Sequence, residues 1–135
     1  MADYYTHFSC LLDVGSAANA TRALALFDKG DDWDPEAERG FVVSVHPDDS
    51  GRCLWIRDEE HGDPEMVIRF VKRCAAALGL TGRWGFQYAC TCSRPRLDGF
   101  GGGGHVLDLA TGEMVDWIST DDWLSILLAG GDPHA

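Results

Sequence analysis

The sequence predicts a single α+β domain in which helices cover one face of a mostly antiparallel sheet. The chain has 135 residues, which is about the length of one domain and is enough to bury a core. Hydrophobic residues make up 45% of it, the level of a folded protein and not of a disordered acidic chain. Strand-like and helix-like runs follow the order β-α-β-β-α-β-β-α, which fits a ferredoxin-like variant with an added hairpin over residues 1–135.

A strand over residues 5–14 and a helix over residues 17–29 open the predicted fold. Apolar and polar residues alternate through the first run, which is the pattern of a strand with one covered face. Ser16 is suited to the N-cap of the following helix, and Gly30 is suited to its C-terminal end. The side chains predicted on the covered face of the strand are Phe8, Cys10, Leu12 and Val14.

A hairpin and a second helix come next. Residues 41–46 and 53–58 are rich in strand formers and are separated by the turn-forming segment PDDSGR. The helix begins at Asp63 and Pro64, a capping residue followed by proline in the first helical position, and ends at Gly79. Its apolar residues recur at helical spacing, at Val67, Val71, Cys74 and Leu78.

The last third of the chain predicts three strands and a short helix. Residues 84–92 form a strand in which Trp84, Phe86 and Tyr88 share the covered face. The glycine-rich residues 99–104 predict a flexible loop or a bulge. Residues 105–109 and 114–118 flank the turn-forming segment ATGE and predict a second hairpin. A capping pair then introduces the final helix, Ser119 and Asp122.

The net charge of −11 is unevenly distributed along the chain. Residues 1–65 contain 15 acids and 5 bases, residues 66–97 contain 6 bases and no acid, and residues 98–135 contain 7 acids and neither Lys nor Arg. Affinity for nucleic acid depends on Lys and Arg that displace counterions from phosphates. This charge balance therefore argues against direct binding to nucleic acid.

Two acidic clusters are the predicted partner-binding residues. Like charges at such spacing repel each other, so the clusters serve either solubility or binding. One interpretation is a solvated face, as in a stable accessory domain. The other is a face that docks on a basic protein or nucleoprotein surface with an aromatic anchor. The residues concerned are Asp31, Asp32, Trp33, Asp34, Glu36, Glu38, Asp58, Glu59 and Glu60.

The segment His46-Pro47-Asp48-Asp49 resembles the H-P-D-D motif of zinc-dependent sugar deacetylases of the PIG-L family. In that family a His and an Asp hold the metal and another Asp acts as base. The same residues are also explained as a hairpin turn in which Pro fixes φ and Asp bonds its own backbone. Neither this segment nor Cys90 and Cys92 completes a ligand set. We therefore expect no metal, no cofactor and no catalytic residue.

An alternative function is a small-molecule or anion-binding domain, or an enzyme, that uses the glycine-rich residues 99–104. Arg94, Arg96 and His105 adjoin this segment. Backbone amides in such segments can cradle phosphate. No Lys-Ser/Thr follows, however, and the next element is a strand, so the prediction is a small anion pocket and not a P-loop.

Cysteine number and hydropathy predict a cytoplasmic protein. The 5 cysteines, an odd number without C-x-x-C spacing, indicate reduced thiols. No segment approaches the ~20 apolar residues that cross a bilayer. The segment MADYYTHFS has neither the basic nor the apolar region of a signal peptide. We therefore expect no contact with membranes.

Three segments, YYTHFSCLLDVG, GDPEMVIRFVKRCAAALGLTGRWGF and CSRPRLDGFGGGGHVLDLATGE, resemble a family of short acidic proteins carried on bacterial mobile elements. These elements are integrative and conjugative elements, plasmids and prophages. The resemblance implies a role similar to anti-restriction or anti-CRISPR inhibitors, some of which imitate the charge of DNA, and it assigns no catalytic residue. The basic residues 66–97 favour a local acidic patch. The prediction is a non-enzymatic inhibitor that docks a negative face on a nucleic-acid-handling defence complex.

Overall fold

The computed structural model describes residues 3–29, 40–47 and 49–133, and it confirms a single α+β domain. The helices in these ranges are α1 (Ala17–Lys29), α2 (Pro64–Leu78) and α3 (Thr120–Leu128). The strands are β1 (Tyr4–His7), β2 (Ser9–Asp13), β3 (Val42–Val45), β4 (Cys53–Arg57), β5 (Arg83–Cys92), β6 (Gly101–Asp108) and β7 (Met114–Ser119). None of the helices described is long and apolar enough to cross a membrane.

The predicted first strand is divided at Phe8, so the prediction of one continuous strand over residues 5–14 is wrong. β1 pairs with β5 and β2 pairs with β4, both antiparallel. One sheet has the order β1-β5-β6-β7 and the other the order β2-β4-β3. If β1 and β2 are counted as one bent strand, this is a ferredoxin-like order extended by the β6–β7 hairpin, as predicted.

The ends of α1 and α2 follow from local capping. The Ser16 hydroxyl accepts a hydrogen bond from the Asn19 amide at 3.1 Å, whereas the predicted helix stop, Gly30, lies outside the described residues. The Asp63 carboxylate accepts from the Glu65 amide at 3.1 Å. Gly79 ends α2 with a φ of 66°, a left-handed conformation that costs glycine little. The predicted bounds of both helices are confirmed.

The core lies where α1 and α2 cover one face of the two sheets. Phe8, Leu12 and Phe86 are buried there, and Cys10, Trp84 and Tyr88 are packed against them, as the alternation predicted. Leu12 faces the core and is 1% exposed, whereas its neighbour Leu11 faces away from the core and is 43% exposed. The other large side chains that are fully buried among the described residues are Val14, Leu54, Ile56, Val67, Phe70, Val71, Cys74 and Leu107.

Two predictions about the last third of the chain are wrong. Gly101–Gly104 do not form a loop but are the first half of β6 and pair with β5. Ser119 is at the N-cap of α3 but makes no side-chain capping bond. The Thr120 hydroxyl instead donates to the Gly102 carbonyl at 3.1 Å, which joins α3 to β6. No residue of α3 is buried.

The Asp58 carboxylate stabilises the junction between β1 and β2. It accepts hydrogen bonds from the Phe8 amide at 2.8 Å and the Glu60 amide at 2.9 Å, and it lies 2.8 Å from Nδ1 of His7. Burial raises the pKa of Asp58, but these bonds outweigh burial and hold the pKa below its ordinary value of 3.8. The folded state therefore favours the ionised carboxylate.

Leu12→Asp is expected to prevent folding, whereas Leu11→Asp is expected to be mild. An unpaired carboxylate at position 12 would be buried, at a cost comparable to the stability of a whole domain. Urea unfolding followed by circular dichroism measures both variants. Equal damage from the two substitutions would mean that β2 is covered on both faces.

Asp58→Asn is expected to lower the free energy of unfolding by about 1–3 kcal/mol at pH 7, because hydrogen bonds to a charged acceptor weaken. A carboxyl with a lowered pKa stabilises the fold above its ordinary pKa, and this contribution is lost as the pH falls through its folded-state pKa. The difference between wild type and Asp58→Asn should therefore narrow below pH 3.8. Glu59→Gln, an exposed neighbour, serves as the control and should change stability by less than about 0.5 kcal/mol.

Candidate functional site

An open cleft lies over the four-stranded sheet beside the N-terminus of α2. Its volume is about 480 Å³, within the range of roughly 300–1,000 Å³ that is usual for small-molecule sites. It brings together residues from five elements, β1, α2, β5, β6 and β7. The described lining residues are Thr6, Pro64, Glu65, Tyr88, His105, Met114 and Trp117.

Stacked rings form the side of the cleft that the sheet supplies. Phe86, His105 and Trp117 are cross-strand neighbours on β5, β6 and β7. The ring centroids are 5.7 Å apart for Phe86 and His105 and 6.4 Å apart for His105 and Trp117, with interplanar angles of 30° and 22°. Tyr88 also stacks on His105, at 5.8 Å. These four residues are called the aromatic ladder below.

Within the described chain, His105 is held in the ladder by stacking and not by a hydrogen bond. Its Nδ1 atom is buried and has no hydrogen-bond partner among the described residues. Burial lowers the pKa of His105, although the charge of Glu65 acts in the opposite direction. The ring is therefore neutral at pH 7. An unpaired buried polar atom is uncommon in folded proteins and often marks a functional site.

The missing side chain of Gly103 makes room for the ladder. Tyr88 faces Gly103 across the β5–β6 pair, and a Cβ atom at position 103 would lie 2.8 Å from the Tyr88 hydroxyl and still closer to the Ile118 carbonyl. Gly104 has more space, since its nearest neighbour would be the Phe86 carbonyl at 3.3 Å. The glycine run thus lets the Tyr88 ring lie flat over β6.

A second feature is an exposed apolar surface on the last strand and the last helix. β7 is at the edge of its sheet, and every residue of α3 is exposed. Trp117 is 55% exposed and Leu128 is 80% exposed. We call this surface the β7–α3 face, and its exposed apolar residues are Met114, Val115, Trp117, Ile118, Trp123, Leu124, Ile126, Leu127 and Leu128.

The structure places the predicted acidic residues in different settings. The cluster around Trp33, which comprises Asp31, Asp32, Asp34, Glu36 and Glu38, lies outside the described residues. Asp58 is engaged by backbone amides and by His7, so its carboxylate is committed to the fold. Glu59 and Glu60 are exposed. Of the second acidic cluster, only these last two carboxylates are left open to solvent.

The predicted anion pocket is not assembled. Arg94 and Arg96 are exposed in the connection between β5 and β6, beyond the end of the pairing between Cys90 and Gly101. His105 is four residues further along β6, about 13 Å from Gly101 at the rise of a strand. His105 therefore belongs to the cleft, with an acid, Glu65, as its charged neighbour.

Candidate metal ligands and cysteine thiols are the next feature of the described part of the chain. No three His, Cys, Asp or Glu side chains in that part are grouped so that they could hold a metal ion. Asp48 of the H-P-D-D segment lies outside it. The five cysteines form no disulfide with one another, and burial raises the pKa of Cys10 and of Cys74 to about 12. These two thiols are therefore poor nucleophiles.

Most residues of the cleft were not predicted from sequence. His105 is a predicted candidate. Glu65 is predicted only as a residue of a helix, and Tyr88 and Trp117 are predicted only as residues of strands. Cross-strand register is the signal that could have joined the strand residues, because it aligns Phe86, His105 and Trp117. It does not reach Glu65, which lies on α2. The register depends on pairing through the glycine run, which the sequence predicts as a flexible loop or a bulge.

Gly103→Ala is expected to destabilise the protein by about 1–3 kcal/mol, since the added methyl group would crowd the Ile118 carbonyl on β7 and the Tyr88 hydroxyl on β5. Gly104→Ala is the matched control and should cost less. Thermal unfolding of both variants measures the difference, and the near-ultraviolet circular dichroism of the ladder should change only in Gly103→Ala. Similar behaviour of the two variants would contradict the close packing of Tyr88 over β6.

The chain matches no protein-family model, no curated protein and no solved structure. The resemblance to proteins of bacterial mobile elements gains nothing from these comparisons and stays a prediction. Function is therefore inferred from the cleft and from the β7–α3 face.

Proposed function

We propose that this chain is a non-enzymatic acidic binding protein that docks on a positively charged protein surface in the cytoplasm. The observation that carries the proposal is the exposed β7–α3 face. Large exposed apolar patches are unusual on a monomer and mark interaction sites. Trp117 and Trp123 are the natural anchors, because Trp is enriched among the residues that dominate binding energy.

Charge supports a cationic partner. Residues 98–135 contain 7 acids and neither Lys nor Arg, and Asp116, Asp121 and Asp122 are exposed beside the apolar side chains. A two-fold dimer through this face would bring the same acids towards each other. A partner with an apolar centre and a rim of Lys and Arg would pair with them instead.

Proteins that handle nucleic acids commonly carry such basic surfaces, because they bind phosphates. We therefore keep the inhibitor of a bacterial defence complex, of the anti-CRISPR or anti-restriction type, as the physiological form of the proposal. Its support is the charge of the chain and the resemblance described above. The acidic residues around Trp33 remain candidates to extend the docking surface.

The proposal predicts separate kinetic roles for charges and anchors. When the protein is immobilised and exposed to a bacterial lysate at low salt, it should retain proteins with basic surfaces. The double variant Trp123→Ser, Leu124→Gln should not retain them. With the purified partner, Trp123→Ser should raise the dissociation rate by about tenfold or more. Asp121→Asn with Asp122→Asn should chiefly slow association and flatten its salt dependence. Neutralising Asp31, Asp32, Asp34 and Glu36 tests the first acidic cluster in the same assay.

Leu97→Ser is the matched control, since Leu97 is fully exposed and lies outside the β7–α3 face. It should bind like wild type. Retention that is unchanged in the Trp123→Ser, Leu124→Gln variant would exclude this face. Concentration-dependent dimers of the wild type that the same variant abolishes would show that the face is an interface between two copies and would overturn the proposal.

A further inference from the structure

The cleft beside α2 is a candidate ligand site in its own right. It does not rest on the proposed function, because Glu65, Tyr88 and His105 lie outside the β7–α3 face, which shares only Met114 and Trp117 with the described lining of the cleft. Phe86 and Leu107 are buried in one core cluster with the apolar residues of α2, whereas Met114 and Trp117 on β7 are exposed. Aromatic rings and a carboxylate line this open part.

The aromatic ladder ends at the edge of the sheet. Trp117 stacks on His105 at one side, and no further strand follows β7 within the described sheet. Trp117 is consequently 55% exposed. A planar group placed against the indole would extend the stack, and Trp is the best of the aromatic residues for binding a cation in this way.

The charge of the cleft is negative. Glu65 is the one charged side chain among the described lining residues, which include neither Lys nor Arg. Burial raises the pKa of Tyr88, and the charges of Asp121, Asp122 and Glu65 raise it further. The phenol therefore experiences the field of three acids, which would attract a cation and repel an anion.

The N-terminus of α2 does not offset this charge as an anion site. Pro64 has no N–H group, and the Glu65 amide donates to the Asp63 carboxylate. The amides of Met66 and Val67 donate to the Asp63 carbonyl at 3.1 and 3.3 Å. The first-turn donors that would bind a phosphate are thus already used.

We propose that this cleft binds the guanidinium group of an organic cation. The group would stack on Trp117 and form an ion pair with Glu65. Guanidinium suits the site better than ammonium because it is planar, stacks on aromatic rings and binds a carboxylate through two parallel N–H groups. The neutral ring of His105 adds no opposing charge. The guanidinium belongs either to a free small molecule or to an arginine side chain of another protein.

The test is a calorimetric titration with N-acetyl-arginine amide, a blocked arginine without a carboxylate. We expect saturable binding with one site per chain. The corresponding citrulline compound has nearly the same shape without the charge and should not bind, and the lysine compound should bind more weakly. Inorganic phosphate should not compete with the arginine compound.

Two substitutions locate the site. Glu65→Gln and Trp117→Leu should each weaken binding of the arginine compound at least tenfold. Glu113→Gln, which removes an exposed acid that does not line the cleft, should leave the affinity unchanged and controls for net charge. Glu65 and Trp117 are both exposed, so these variants should keep the circular dichroism spectrum and melting temperature of the wild type.

A second titration distinguishes the two sources of guanidinium. The tripeptide Gly-Arg-Gly should bind more tightly than the blocked arginine if the site takes an arginine side chain of a protein, and no more tightly if it takes a small molecule. Equal binding of the citrulline compound, or full affinity in Glu65→Gln, would overturn the proposal. Neither result would bear on the docking of partners through α3.

Discussion

The hydrogen bonds of the Asp58 carboxylate stabilise the junction between β1 and β2. This junction allows one segment, residues 4–13, to contribute a strand to each of the two sheets. Asp58 bonds the Phe8 amide where the backbone leaves one sheet for the other, and the Phe8 carbonyl accepts from the Asp58 amide at 3.2 Å. A strand that breaks exposes backbone groups that need partners. Without this side chain, the Phe8 amide would be left unpaired beside a buried ring.

The cleft and the β7–α3 face both involve the β6–β7 hairpin, which extends the ferredoxin-like strand order. α1 and α2 cover the ferredoxin-like part of the sheets, where the buried residues are concentrated. The β6–β7 hairpin extends beyond α2, and α3 packs on it without burying any of its own residues. Both the cleft and the β7–α3 face are consequences of this incomplete cover. Trp117 belongs to both because it stands at their boundary.

Local signals predicted the helices well and the long-range pairing poorly. Ser16 and Asp63 cap helices and Gly79 ends one through contacts with residues close by in the sequence. Their roles could therefore be predicted from the local sequence. The sequence contains no signal for the division of the first strand. Phe8, Cys10 and Leu12 all face the core, as alternate residues of one continuous strand would. The glycine-rich residues 99–104 predict a flexible loop or a bulge, and glycine disfavours strands. Gly101–Gly104 nevertheless pair with neighbouring strands, and Gly103 leaves the space that Tyr88 requires. The cleft depends on the division of the first strand and on the pairing of Gly101–Gly104. Because neither was predicted, the cleft could not be predicted from the sequence.

The bent first strand also constrains the order of events during synthesis. Residues 4–13 leave the ribosome before both of their partners, residues 53–57 and 89–92. β2 therefore stays unpaired until β4 has been synthesised, and β1 stays unpaired until β5 has been synthesised. Contacts of such high sequence separation slow folding and prolong the exposure of apolar segments. During this interval the many acidic residues would keep nascent chains apart by mutual repulsion, whatever they do in the finished protein.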